Sequence, residues 1–306
     1  MKINKIDNVV IDDDNYCKVT KMNNIVEVQY LEKKNCKATI KKLNSSEYVD
    51  LKTGKVKEFN KSNIKNNYKS LKATFKNLRY LINTNFSGSN RELFVTLTYA
   101  ENMCDTNNLM KDVEKFIKKL RYYVKKENVT FEYINVVEPQ LRGAWHCHIL
   151  FKFSQYFYIE NSIIENLWGQ GYTNVKRIKD IDNIGAYLTA YLCDIEVDEN
   201  KINTDIDYTS EISSVAMKGC VFVEKENKKF IKGARLHLYP VGLNIYRCSK
   251  GIKKPDSEYM LFSEIKKSVV GSAKPRYTSA FEILNEEDEH SNTLIFHSYN
   301  LKDIIS

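Results

Sequence analysis

Hydrophobic and polar positions alternate strictly over Trp145 to Phe153 (WHCHILFKF). A period of two predicts a strand that buries Trp145, Cys147, Ile149, Phe151 and Phe153 and projects His146, His148, Leu150 and Lys152 from its other side. Neighbouring segments carry equally clear periods. Leu93–Tyr99 (LFVTLTY) and Phe131–Val137 (FEYINVV) are β-branched and aromatic and read as strands. Between them Leu109, Val113, Phe116, Ile117 and Leu120 recur at helical spacing up to about residue 126. EPQLRG, punctuated by Pro139 and Gly143, turns the second strand back into the histidine strand as an antiparallel hairpin. A short helix over 159–168 stops at Gly169 and Gly171, and Tyr172–Ile178 (YTNVKRI) is a further strand. This β-α-β-β-α-β order predicts an α+β, ferredoxin-like (RRM-like) core. First and third strands would pair in the middle of one antiparallel sheet, both helices would cover one face, and the face carrying His146 and His148 would stay open beside Thr96 and Thr98.

The flanks are less patterned. Residues 1–60 read as a β-rich accessory segment, with VEVQYLEK and CKATIKKL as short strands. Residues 61–90 hold a basic amphipathic helix: Tyr68, Leu71, Phe75, Leu78 and Ile82 form its apolar stripe, with Lys65, Lys69, Lys72, Lys76 and Arg79 off it. The core spans 91–197 and ends on DIDNIGAYLTAYLCD. There Asp182 or Asn183 can cap a helix that packs Ile184, Leu188 and Leu192 inward and sets Tyr187 and Tyr191 on one face, a turn apart. A polar linker over 198–215 precedes a basic accessory region, 216–306, in which CVFVEKE and RLHLYPVGLNIY look like strands.

Composition narrows the class without deciding it. Forty-seven Lys and Arg against 39 Asp and Glu give a formal charge of +8, and 20 tyrosines and 14 phenylalanines supply stacking faces. A basic, aromatic chain suits nucleic acid. Seven scattered cysteines with no Cys-x-x-Cys suggest neither a disulfide framework nor a cysteine zinc site. With no secretory leader and no apolar run of membrane length, a reducing cytoplasm without membrane contact is expected.

The chemistry centres on the two histidines. Imidazoles two apart on a strand reach one divalent metal, and Glu138, at the end of the neighbouring strand, is the nearest third ligand, subject to hairpin register. The same three residues also match zinc preferences, so a small-substrate zinc hydrolase is a rival reading. A tyrosine phenol, with an ordinary pKa of ~10, attacks phosphorus only when its anion is stabilised or the phosphate is polarised. Arg142, Lys152, Lys176, Arg177, Arg247, Lys250, Lys253 and Lys254 are candidate DNA contacts.

Three ordered motifs resemble those of the HUH endonucleases, specifically rolling-circle replication initiators of bacterial plasmids and phages: FVTLTYAEN (Phe94–Asn102), EPQLRGAWHCHILF (Glu138–Phe151) and NIGAYLTAYL (Asn183–Leu192). LINTNF and YRCSKGIKKP also look like flanking segments of these initiators, so the likeness spans about residues 65–255. The resemblance implies Mg²⁺ or Mn²⁺ held by His146, His148 and Glu138. It further implies that Tyr187 nicks single-stranded or hairpin origin DNA, leaving a 5′-phosphotyrosine and a free 3′-OH, and that Tyr191 rejoins the strand. Host helicase and DNA polymerase are the implied partners. A transposase or relaxase shares the chemistry, and a regulator that binds the origin without cleaving it belongs to another class. Many relatives carry a lysine after each tyrosine, where this chain has Ala190 and Asp194; Lys176, Arg177 or Lys179 could supply that charge.

Overall fold

The computed structural model describes residues 2–7, 9–33, 40–44, 46–58, 67–140, 142–178, 181, 183–197, 222–225, 228–231, 233–285 and 289–304. In chain order the strands of the first part are β1 (Lys2–Ile6), β2 (Tyr16–Met22), β3 (Ile25–Leu31), β4 (Ile40–Lys42), β5 (Glu47–Asp50) and β6 (Val56–Glu58). Then come α1 (Asn67–Asn85), β7 (Glu92–Leu97), α2 (Thr106–Lys125), β8 (Phe131–Pro139), β9 (Trp145–Phe153), α3 (Asn161–Trp168), β10 (Thr173–Arg177) and α4 (Ile184–Cys193). The remainder comprises β11 (Ile195–Val197), β12 (Phe222–Lys225), β13 (Lys228–Ile231), β14 (Tyr246–Cys248), β15 (Asp256–Leu261), α5 (Phe262–Ile265), β16 (Tyr277–Leu284) and β17 (His290–Asn300). The polar stretch 198–215 lies outside the described residues, as do Lys179 and Asp182. Among the described residues no helix is long and apolar enough to cross a membrane.

Two compact units divide the chain: Tyr68–Lys254, and Met1–Asn67 together with Pro255–Ser306. The first is built on a five-stranded sheet in the order β10-β7-β9-β8-β14, each strand antiparallel to its neighbours. The α2 helix starts where Asp105 accepts the backbone N–H groups of Asn107 and Asn108, and α3 ends where Gly169 turns left-handed (φ 67°). Phe116 of α2 packs edge-on against both Phe151 of β9 and Trp168 of α3, so these helices cover the odd-numbered side of the histidine strand.

The opposite face is not open, contrary to the expectation from the histidine strand. Leu150, Ile134, Val136 and His148 on it are all buried. At its far end Lys152 donates to the Asn85 carbonyl that closes α1, while α1 and α4 pack their apolar stripes into the same core. The physical reason is the neighbouring strand: Ile134 and Val136 pair with Leu150 and His148, so the face is too apolar to remain bare at about 1.5–3 kcal/mol per large side chain. The amphipathic helix of 61–90, observed over Asn67–Asn85, supplies part of the cover.

A second difference lies in RLHLYPVGLNIY. Only Tyr246–Cys248 is strand; Leu236–Leu238 forms a 3₁₀ turn, and the chain turns again at Pro240–Leu243, with Gly242 at φ 81°. Proline and a left-handed glycine cannot extend a ladder, so Leu236, Tyr239 and Ile245 reach the core as separate anchors. In the same unit β11, β13 and β12 make a small antiparallel sheet.

The other unit pairs strands from both ends of the chain in a six-stranded sheet, β1-β16-β17-β3-β2-β15. Cys17, Val19, Val26, Val28, Ala280 and Ile295 form its core with Phe262 and Ile265 of α5. β4, β5 and β6 form a separate three-stranded sheet.

Candidate active site

Hairpin register decides whether the histidines and Glu138 can meet. Glu138 lies directly opposite His146, and Val136 opposite His148, which puts both imidazoles and the carboxylate on one side of the sheet. His148 is 2% exposed and Glu138 is 1% exposed. The Glu138 Oε2 lies 2.6 Å from His148 Nε2, and Thr96 Oγ1 lies 3.1 Å from His148 Nδ1. With an N–H at Nε2 donating to the carboxylate, Nδ1 accepts from the threonine hydroxyl. Phe94 stacks parallel to the His148 ring at 5.5 Å between centroids and fixes its plane. Burial pushes the His148 imidazole down to about 4. Burial first, then the neighbouring His148 and Arg142, pushes His146 down to about 4. Both rings are therefore neutral at ordinary pH, which is the state a metal ligand requires.

Glu138 has a second partner that the motifs do not contain. The Arg235 guanidinium forms an ion pair with Glu138 Oε1. Burial lowers the guanidinium from its ordinary value, yet an arginine stays charged. Its backbone N–H donates to the Cys193 carbonyl at the end of α4, and the Gly233 N–H donates to Asp194. Asp194 thus pins the turn that delivers Arg235. With Glu138 so engaged, no three His, Cys, Asp or Glu side chains among the described residues are arranged around a metal position. The donor chemistry fits a divalent cation nonetheless: two neutral imidazole nitrogens and a carboxylate oxygen on one sheet face.

Helix α4 carries the tyrosines. Asn183 caps it, its Oδ1 accepting from the Ala186 N–H and from Asn83 Nδ2 of α1. Gly185 allows the two helices to touch, for a Cβ there would stand 2.5 Å from the Arg79 carbonyl oxygen and 2.7 Å from Asn83 Oδ1. Ile184, Leu188 and Leu192 are buried as the spacing predicts, and Tyr187 is 53% exposed. Tyr191 belongs to the same helix, and its side chain lies outside the described residues.

The basic candidates separate into two groups. Arg142, Lys176, Lys250, Lys253 and Lys254 are exposed. Lys152 is held by the Asn85 carbonyl at 2.6 Å, Arg247 pairs with Glu114 at 3.0 Å, and Arg177 donates to the Asn90 carbonyl and lies over the Tyr156 ring. Arg235 and Phe94 were missed as site residues. Arg235 follows a segment without periodicity, and nothing local ties it to a glutamate far back in the chain.

Residues 92–196 match the family model of the replication-associated protein ORF2. Comparison with curated proteins gives no match. Among solved structures, the N-terminal nuclease domain of non-structural protein 1 from minute virus of mice is similar at 11% identity, over 83% of this chain and 75% of that chain, with a TM-score of 0.18. That domain is described as having a unique Zn²⁺ coordination in its active-site pocket and a novel mode of DNA recognition at the origin of replication; a likeness this slight carries no argument here. Residues 92–196 belong to this replication-associated protein family, in line with the resemblance to rolling-circle replication initiators that their motifs carry.

Proposed function

We propose that this chain is a replication initiator that nicks single-stranded origin DNA with a tyrosine of α4 and later rejoins it. The observation that carries the reading is the convergence of Glu138, His146 and His148 on one sheet face, within a segment that matches a replication-associated family. The sheet order β10-β7-β9-β8 supports a ferredoxin-like core, with the first and third strands of the β-α-β-β-α-β run in its middle.

His146, His148 and Glu138 would hold Mg²⁺ or Mn²⁺, and such an ion, when bound, polarises a phosphate oxygen. His148 must then turn its Nε2 lone pair outward, and Thr96 serves that state by accepting an N–H at Nδ1. Tyr187, exposed on α4, attacks phosphorus through its Oη. The P–O3′ bond breaks, the 3′ oxygen leaves as a hydroxyl, and the 5′ phosphate stays on the tyrosine. Tyr191 is the candidate for the second transfer. Arg142, Lys176, Lys250, Lys253 and Lys254, with Lys152, Arg177 and Arg247 more constrained, are proposed to neutralise DNA phosphates. Host helicase and polymerase would extend the freed 3′ end, in the cytoplasm. A transposase or relaxase would share every step.

A labelled single-stranded origin oligonucleotide incubated with the protein and Mn²⁺ is expected to yield a denaturation-resistant adduct. Adduct that persists undiminished in the Tyr187→Phe, Tyr191→Phe double variant overturns the nucleophile assignment. One observation favours a second reading, an origin-binding regulator without cleavage: Glu138 is already neutralised by Arg235. Sequence-specific binding with no cleavage under Mg²⁺ or Mn²⁺ would select it.

A further inference from the structure

Glu138 is among the most deeply buried ionisable groups of the sheet, and a buried carboxylate requires a compensating charge. Its His148 partner is neutral, because burial disfavours the imidazolium. The cation set against it is Arg235, delivered by a turn whose position two backbone hydrogen bonds fix. Arg235 N–H donates to the Cys193 carbonyl, and Gly233 N–H donates to Asp194 Oδ1, each at 2.8 Å. Ala234 between them is fully buried, so the turn has little freedom to drift. The guanidinium is therefore suspended from the C-terminal end of the tyrosine helix and reaches the carboxylate beside the histidines.

We propose that Arg235 is a resident counter-ion for Glu138 that a divalent cation must displace, so that the Arg235–Glu138 pair and metal binding exclude each other. This rests on the metal reading of His146, His148 and Glu138 given above. A guanidinium and a divalent cation drawn to one buried carboxylate repel each other at contact range, where little water screens them. The carboxylate also cannot turn toward both histidines while one of its oxygens is held by the guanidinium. The consequence is a site that stays electrically neutral without metal and releases an arginine, tethered to α4, when metal arrives. Arg235 is a positioning residue here, acting through Glu138 rather than on the reacting atoms.

The test is Mn²⁺ affinity of the full chain without DNA, measured by calorimetry or by the free-Mn²⁺ electron paramagnetic resonance signal. Coupling between two ligands of one site is commonly 5- to 150-fold. Arg235→Gln is accordingly expected to bind Mn²⁺ about tenfold more tightly than the parent protein, and Arg235→Lys to fall between the two. Unchanged or weaker binding in Arg235→Gln overturns the proposal. Should Arg235→Gln not fold, the parent protein answers the question directly. The Arg235 Nε–H resonance, assigned by its loss in Arg235→Lys, is expected to shift and exchange faster with solvent as Mg²⁺ saturates. A resonance that stays put while Mg²⁺ binds refutes displacement. Failure of the underlying reading looks different: neither protein binds Mn²⁺, or binding survives the joint His146→Ala, His148→Ala change.

Discussion

Replacing Gly185 by alanine sets two effects of opposite sign against each other in the helix that carries Tyr187. Intrinsic propensity favours alanine in a helix by about 1 kcal/mol. Packing opposes it, because the new methyl would stand 2.5 Å from the Arg79 carbonyl oxygen, 2.7 Å from Asn83 Oδ1 and 2.9 Å from Asn83 Cγ. The nearest of these is backbone within α1 and cannot swing aside, so α4 must move outward by several tenths of an ångström. Overpacking of this kind costs about 1–3 kcal/mol. Displacement also stretches the 2.7 Å bond from Gly185 N–H to Asn83 Oδ1, worth about 1 kcal/mol net. The sum is a destabilisation of about 1–3 kcal/mol, where propensity alone would predict a gain. Hydrogen exchange of the α4 amides in the full chain reads it locally, and urea unfolding reads it globally. Ala190→Gly, at an exposed position of the same helix, isolates the propensity effect and is expected to cost about 1 kcal/mol. Gly185→Ala amides that exchange as slowly as the parent's would refute the close-contact argument.

Other outcomes follow from the same coordinates. Glu92 is fully buried and its carboxylate accepts from the backbone N–H groups of Ser87, Gly88 and Ser89, so Glu92→Gln, which loses the charge and part of the acceptor capacity, is expected to destabilise by about 2–3 kcal/mol in urea unfolding. Acid should weaken the fold through the histidines: folded values near 4 lie below the unfolded 6.5, so the unfolded chain binds more protons in between. That contribution is fully present above about pH 6.5 and is lost as pH falls toward 4; an acid limb equally steep in His148→Asn would contradict it. In salt titrations of single-stranded DNA binding, Arg142→Ala or Lys176→Ala is expected to reduce the log–log slope by ~0.7. Lys152→Ala should leave the slope unchanged and lower the unfolding midpoint, since its ammonium serves the end of α1.

Local periodicity made much of the core legible. Alternation over Trp145–Phe153 placed both histidines on one side, and Gly169 and Asn183 marked a helix end and a helix start because their chemistry is local. Periodicity says that a face is buried or exposed, not what buries it. Leu150 alone did not reveal that Ile134 and Val136 would make the histidine face apolar, because that depends on register. Nor could the stripe of Tyr68 to Ile82 announce that it would pack into the same core. The six-stranded sheet formed by both chain ends, and the meeting of Arg235 with Glu138, are long-range pairings with no sequence-local signature. Lys152 shows the converse: a lysine on a basic chain reads as a phosphate contact until a carbonyl is found 2.6 Å away.

Most directly decisive is peptide mapping, by mass spectrometry, of the protein after reaction with origin DNA and Mn²⁺. The account predicts a nucleotide attached to the α4 peptide at Tyr187 or Tyr191, and its disappearance when the cation is chelated. A nucleotide on a residue outside α4, or the same adduct formed equally in chelator, would contradict it.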